Sequence, residues 1–269
     1  MQLNWTAHKS LGEDGSAMIG LDITGHRASI HLNNAPVNAI NEDWIEQFNR
    51  VLDEVEADND VSIVHIKSTL KTFCAGADLS LMRQLLDTPK GRDAMIDVIR
   101  KIQKVFLRLE TMAAVTIAEI GGAALGGGLE LALACDLRVA ADSAKLGLPE
   151  ASLGLLPGAG GTQRLPRICG DAIARRLILG AEVIDGRQAA ELGLVQWVVP
   201  GEELSGFAAD LTVRLGALPG EALKACKRCI DATNDSAVDG YGKELRETRR
   251  LHDVAETQEL IQAFLGGTR

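Results

Sequence analysis

Apolar and polar residues follow two different periods along this chain, and the two periods predict short strands and longer helices. Short apolar runs predict strands at 17–23, 28–32, 61–66, 113–120, 136–140 and 194–199. Apolar residues that recur every three or four positions predict helices at 41–56, 93–110, 129–135, 171–179 and 186–192. Because strands alternate with helices, the pattern predicts an α/β fold whose central sheet is mostly parallel.

Three segments depart from this alternation. Residues 87–91 are polar and include proline and glycine, which predicts a mobile connection before the long helix. Residues 157–162 are rich in glycine and predict a loop. Beyond position 200 the patterns are helical only, at 204–215, 221–233, 238–251 and 256–265. We therefore expect an α/β core at 1–203 and a C-terminal helical region at 204–269.

The composition is that of an ordinary globular protein with an acidic surface. Of 269 residues, 46% are apolar and 24% charged, and the formal net charge is −9. Nucleic-acid phosphates need clustered Lys and Arg, so we expect no nucleic-acid partner. No run of about 18 uncharged apolar residues predicts a membrane span, and the first residues lack a signal-peptide pattern. These features predict a cytoplasmic protein without a membrane partner.

The cysteines predict reduced thiols and no metal site. Five cysteines without a secretory signal are typical of a chain that forms no disulfides. Cys226 and Cys229 form a C-x-x-C pair, but they lie in a helical pattern, where residues three apart merely share a face. A structural zinc site needs two further ligands, so we expect this pair to be structural.

A glycine-rich turn at 126–128 carries the strongest chemical signal. The turn precedes an apolar helical segment, so unpaired N–H groups at a helix start can approach a ligand without an intervening Cβ. Taken alone, such a turn is more often a packing feature. Glu130 follows in the first helical turn, and Glu150 comes after the next predicted strand. We therefore expect two carboxylates and a group of backbone donors to face one cavity, an arrangement that suits a developing oxyanion.

Five sequence blocks in a fixed order extend this signal. They read NNAPVNAI at 33–40, FCAGADL at 73–79, ALGGGLE at 124–130, LPE at 148–150 and GLLPGAGGTQRL at 154–165. In this order the blocks resemble the crotonase (enoyl-CoA hydratase/isomerase) superfamily, and the resemblance covers about 19–265. The resemblance implies a core built as a spiral of ββα units. It also implies C-terminal helices that mediate formation of a homotrimer or homohexamer and help to cover the acyl pocket.

The resemblance further implies the addition of water across the double bond of a 2-enoyl-CoA thioester. The backbone N–H groups of Ala77 and Gly127 match the two donors that would hold the thioester oxygen. Glu130 and Glu150 match the two catalytic glutamates of the family. Their expected roles are that Glu130 holds and deprotonates the attacking water, while Glu150 positions that water and delivers a proton to Cα. Coenzyme A is part of the substrate, and neither another cofactor nor a metal is implied.

The expected contacts to the CoA ester are less regular. By resemblance they are Lys71, Ala75, Asp78, Leu79 and Gly126. Many relatives carry a lysine shortly after the aspartate of the FCAGADL block, where this chain has Ser80. At the C-terminus, Leu260 stands where glycine is common.

Three alternatives remain open from the sequence. A branched or dicarboxylic substrate, such as a methylglutaconyl-CoA, would keep the same pair of glutamates. A double-bond isomerase usually keeps the second acid and loses the first, so the presence of Glu130 favours hydration. A non-catalytic CoA-thioester-binding protein would be expected to lose both acids.

Overall fold

A computed structural model describes residues 17–267, and these residues form two sheets with helices packed around them. The strands are β1 (Ile19–Thr24), β2 (Arg27–Leu32), β3 (Ile63–Ser68), β4 (Val115–Ile120), β5 (Ala124–Leu125), β6 (Leu137–Ala141), β7 (Lys145–Gly147), β8 (Val183–Asp185) and β9 (Trp197–Val199). The helices are α1 (Glu42–Ala57), α2 (Leu79–Leu86), α3 (Pro89–Thr111), α4 (Gly127–Leu133), α5 (Gly161–Cys169), α6 (Asp171–Leu179), α7 (Gly186–Glu191), α8 (Leu204–Gly216), α9 (Gly220–Asp231), α10 (Gly240–His252) and α11 (Ala255–Gly266). Short 3-10 helices cover Pro149–Leu153 and Ala232–Asn234.

The larger sheet has the strand order β1-β2-β3-β4-β6-β9. In this sheet only β1 and β2 pair in the antiparallel sense, as a hairpin that turns at Gly25, and the other neighbours are parallel. Parallel neighbours need crossover connections, which the intervening helices supply. A smaller sheet, β5-β7-β8, lies beside it, with β5 parallel to β7. The prediction of a mostly parallel α/β core is therefore confirmed.

The helix α1 shows how the predicted amphipathic pattern becomes part of the core. It begins where the Asn41 side chain accepts a hydrogen bond from the N–H of Trp44, a standard N-cap. Its apolar stripe is buried, and Trp44 and Phe48 stack with ring centroids 4.7 Å apart. Burial of such large side chains stabilises the fold by roughly 1.5–3 kcal/mol each.

Two sequence predictions about connections are wrong. The polar segment 87–91 is not a mobile loop throughout, because α3 begins at Pro89 with Thr88 as its N-cap. Proline fits the first turn of a helix, where its missing N–H is not needed. The predicted loop at 157–162 ends earlier than expected, because α5 starts at Gly161. Pro166 inside α5 obscured that helix in the sequence pattern.

The C-terminal helices differ in how far they join the core. Helix α8 packs on β3, β4 and β6, and its Leu204 and Leu211 are buried. By contrast α10 and α11 bury none of their described residues. Their exposed apolar side chains are Tyr241, Leu245, Leu260, Ile261, Phe264 and Leu265. Within residues 17–267, no helix has both the length and the apolar composition needed to cross a membrane.

Candidate active site

The glycine-rich turn and the start of α4 form one side of the site. Gly126 is the N-cap of α4, with φ 53° and ψ −125°. Residues other than glycine rarely adopt this backbone conformation. A Cβ on Gly126 would also lie 2.8 Å from Glu150 Oε1. A Cβ on Gly128 would overlap the backbone carbonyl of Cys74. Glycine is thus required here both for conformation and for close approach of neighbouring segments.

Two backbone N–H groups come together at this turn. Ala77 lies opposite Ile40 in a parallel bridge, whose hydrogen bonds use the carbonyl of Gly76 and the N–H of Asp78. The N–H of Ala77 therefore has no part in that bridge. A Cβ built on Gly127 would lie 3.7 Å from the Ala77 nitrogen, so the two peptides are neighbours. Within the described part of the chain, neither amide donates a hydrogen bond to another residue.

The segment that carries Ala77 is held by a buried asparagine for which the sequence pattern predicted no role in the site. Asn38 is fully buried and adopts a positive φ of 55°. Its side-chain amide donates to the Oγ of Ser68 at 2.8 Å and to the carbonyl of Phe73 at 2.9 Å. These bonds fix the chain at the start of the FCAGADL block.

Glu130 lies on the first turn of α4 and is 2% exposed. Its Oε1 accepts hydrogen bonds from the N–H of Ala159 at 2.8 Å and from the N–H of Gly161 at 2.7 Å. Ala159 lies in the glycine-rich loop, and Gly161 is the residue at which that loop joins α5. The carboxylate is therefore held by backbone groups that lie 29 and 31 residues further along the chain, in keeping with the need to pair buried charges.

The electrostatics of Glu130 differ from those of a surface glutamate. Burial raises its pKa from 4.5 to about 7, and the neighbouring carboxylate of Glu150 acts in the same direction. The N–H donors of Gly161 and Ala159 and the charge of Arg164 partly oppose this rise in pKa. A carboxyl with a pKa near neutrality can exchange a proton at physiological pH.

Glu150 lies in the 3-10 helix at Pro149–Leu153, beside Gly126. Burial raises the pKa of Glu150 above its ordinary value. Its Oε2 is buried and accepts no hydrogen bond from a described residue. A buried carboxyl oxygen without a donor is costly, so this atom is suited to bind a polar group of a ligand or a water.

The expected CoA contacts lie around the same loop but are more exposed. Lys71 and Ala75 are exposed, and the backbone of Lys71 packs against Gly122. Asp78 accepts a hydrogen bond from the N–H of Ser80 at 2.7 Å. Leu79 begins α2, and its side chain lies outside what the structure describes. The structure thus brings together Ala77, Gly126, Gly127, Glu130 and Glu150, while the contacts of Lys71, Ala75, Asp78 and Leu79 with CoA stay predictions.

The family model for enoyl-CoA hydratase/isomerase matches residues 24–266. The chain belongs to the enoyl-CoA hydratase/isomerase family. This assignment agrees with the crotonase fold expected from the five sequence blocks.

Three relatives in this family illustrate its range. The chain is 36% identical over 221 residues to a short-chain-enoyl-CoA hydratase of Clostridium acetobutylicum, covering 81% of this chain and 83% of that protein. It is 42% identical over 163 residues to the mitochondrial methylglutaconyl-CoA hydratase of Homo sapiens, covering 60% of this chain and 47% of that protein. The crystal structure of an enoyl-CoA hydratase from Bacillus anthracis superimposes with a TM-score of 0.87 at 31% identity, covering 93% of this chain and 97% of that one.

Proposed function

We propose that this family member catalyses the reversible syn addition of water to the 2,3 double bond of a 2-enoyl-CoA thioester, giving a 3-hydroxyacyl-CoA. The proposal rests chiefly on one observation. Two carboxyls with raised pKa values, Glu130 and Glu150, lie beside two unpaired backbone N–H groups, those of Ala77 and Gly127. Hydration needs this combination, because it transfers protons and places negative charge on the thioester oxygen.

The N–H groups of Ala77 and Gly127 would hold the thioester oxygen. As electrons of the double bond move toward the thioester, that oxygen gains charge, and preorganised donors stabilise it. Removal of one such donor typically costs about 2.7–4 kcal/mol of barrier. The N-terminus of α4 adds the positive end of a helix dipole at the Gly127 amide.

The two carboxyls would divide the proton transfers. The water oxygen forms a bond to C3 while one of its protons moves to Glu130. The enolate carbon C2 then takes a proton from Glu150. One molecule of water has been added, and a proton must return from Glu130 to Glu150 before the next turnover.

The contacts of each carboxyl support this division of roles. Two N–H donors hold Oε1 of Glu130 and oppose the effect of burial, so that with a pKa of about 7 part of Glu130 is ionised at neutral pH and can act as the base. The buried Oε2 of Glu150 has no donor among the described residues, which favours a proton on that group.

The structure of the acyl chain that the protein accepts is a separate part of the proposal. A straight short chain and a branched or carboxylated chain such as methylglutaconyl-CoA would use the same two carboxyls. We favour a simple 2-enoyl-CoA, because similarity to the Clostridium protein spans 83% of that relative, against 47% for the methylglutaconyl-CoA hydratase. The cytoplasmic location and the lack of a cofactor other than CoA stay predictions.

The test is to incubate the protein with crotonyl-CoA and with longer, branched and carboxylated 2-enoyl-CoA esters in D2O. Loss of the conjugated-thioester absorbance and a product that carries a new hydroxyl and one deuterium at C2 are expected. A product with a moved double bond and no added water would instead indicate an isomerase. Binding of CoA esters without turnover of any of them would reject the enzymatic proposal.

A further inference from the structure

A buried arginine outside the carboxyl pair contacts the loop that holds Glu130. Arg164 lies on α5 and is 6% exposed. Its Nε and Nη2 donate to Oε2 of Glu110 on α3, at 2.9 and 2.7 Å. Its Nη1 donates to the carbonyl of Ala159 at 2.9 Å. The guanidinium therefore joins a carboxylate on one helix to the backbone of the glycine-rich loop.

The loop contacted by Arg164 is the one whose N–H groups hold Glu130. The carbonyl oxygen of Ala159 accepts the hydrogen bond from Arg164, and the N–H of the same residue donates to Glu130 Oε1 at 2.8 Å. Two residues on, the N–H of Gly161 donates to the same oxygen at 2.7 Å. A shift of the loop would therefore move both donors together.

The intervening residue has the conformation that this contact needs. Gly160 has φ 112°, in the region that favours glycine. A Cβ at Gly160 would overlap Nη1 of Arg164. With a Cβ at position 160, Arg164 would have to move away from its present place against the loop.

We propose that Arg164 is a positioning residue for the reaction: anchored by Glu110, it fixes the loop so that the amides of Ala159 and Gly161 hold the carboxylate of Glu130. Arg164 does not touch the reacting atoms in this account. The inference rests on the proposed function, since it assigns Glu130 the role of base. It is nevertheless testable without substrate, through the titration of Glu130 itself.

The charges that face Glu130 determine whether its pKa rises or falls when Arg164 is replaced. The charge of Arg164 and the two N–H donors lower the pKa of Glu130, whereas burial and Glu150 raise it. Loss of Arg164 removes a positive charge and loosens the donors, so the ionised form becomes less stable. The pKa of Glu130 should then rise above its value of about 7.

The chain offers a closely matched control in Arg108 on α3. Its Nε and Nη2 donate to the carboxylate of Glu56 at 3.0 and 2.7 Å, and its Nη1 donates to the carbonyl of Asn49 at 3.2 Å. The control arginine thus likewise donates twice to one glutamate and once to a backbone carbonyl, and it also contacts Asp53 and the side chain of Asn49. None of these partners contacts Glu130.

The experiment compares wild type with Arg164→Met, Arg164→Lys and Arg108→Met. Glutamate labelled with carbon-13 at the side-chain carboxyl is titrated by NMR, and the Glu130 signal is identified by its loss in Glu130→Gln. We expect the midpoint to rise in Arg164→Met, to rise less in Arg164→Lys, and to stay unchanged in Arg108→Met. Circular dichroism of each variant confirms that the fold is retained.

The kinetic readout uses hydration of crotonyl-CoA. Misplacement of a catalytic group by about 1 Å costs on the order of 10²-fold in rate, so kcat of Arg164→Met should fall by roughly that factor with little change in KM. An unchanged Glu130 midpoint in Arg164→Met would overturn the proposal. So would a midpoint in Arg164→Lys equal to that of wild type, because charge alone would then account for the effect. If wild type hydrates nothing, the proposed function fails while the titration still decides the role of Arg164.

Discussion

Replacement of Glu130 by glutamine should change how the stability of the protein depends on pH. Burial raises the pKa of Glu130 in the folded protein to about 7, whereas an unfolded chain has the ordinary value of 4.5. Between these two values the folded state binds more protons than the unfolded state. The stability contribution of Glu130 is therefore fully present below pH 4.5 and is lost as the pH rises toward 7.

The magnitude follows from the difference between the two pKa values. Each pKa unit corresponds to about 1.4 kcal/mol, so the rise from 4.5 to about 7 corresponds to about 3 kcal/mol of unfolding free energy. Because Glu130 is almost completely buried, solvent screening removes little of this amount. Glutamine keeps the shape and an acceptor for the two N–H donors but carries no charge at any pH. The stability of Glu130→Gln relative to wild type should therefore increase by up to about 3 kcal/mol between pH 4.5 and pH 8.

The assay is urea unfolding at several pH values, with a fixed protein concentration because assembly would couple to stability. Glu247→Gln is a useful control, because two arginines, Arg228 and Arg250, lower the pKa of Glu247 to about 2. The difference in unfolding free energy between Glu247→Gln and wild type should change only below pH 4.5 and stay constant between pH 4.5 and pH 8. A constant stability difference between wild type and Glu130→Gln over the same range would refute the reasoning.

Two further predictions concern binding and assembly. The family resemblance implies that Lys71 binds the CoA phosphates, a contact common to ground and transition states. Lys71→Ala should therefore raise KM for a CoA thioester much more than it lowers kcat, most strongly at low salt; an equal fall in kcat would contradict this role. Because the helices α10 and α11 expose apolar side chains, we expect light scattering to show a trimer or a dimer of trimers at micromolar concentration, and a monomer would contradict that expectation.

The sequence predicted those parts of the site that depend on local pattern. Gly126 and Gly127 before an apolar helix indicated a donor group, and Glu130 and Glu150 stood at family positions. The strand and helix order was also predictable, since it depends on periods of two and of three to four residues. Short elements such as β8, with three residues, have too few positions to show a period.

The hydrogen bonds that hold the site residues in place could not be predicted, because they join distant parts of the chain. Ala159 and Gly161 donate to Glu130 from 29 and 31 residues away, and no local pattern indicates which amides will face a carboxylate. Arg164 stood in a quoted motif, yet its partner Glu110 lies 54 residues earlier on another helix. Asn38 likewise gave no sign that its buried side chain holds the loop before Ala77.

The most direct test of the central claim is the initial rate of crotonyl-CoA hydration in wild type, Glu130→Gln, Glu150→Gln and the double variant. Each amide keeps the shape of the side chain but cannot exchange a proton at neutral pH, so each single variant should lose roughly 10²–10⁴-fold in kcat. Both carboxyls act on one water and one enolate. The fold-loss in kcat of the double variant should therefore be far smaller than the product of the fold-losses of the two single variants. Wild-type hydration rates in Glu130→Gln, or losses that multiply in the double variant, would contradict an account in which the two carboxyls act as one unit.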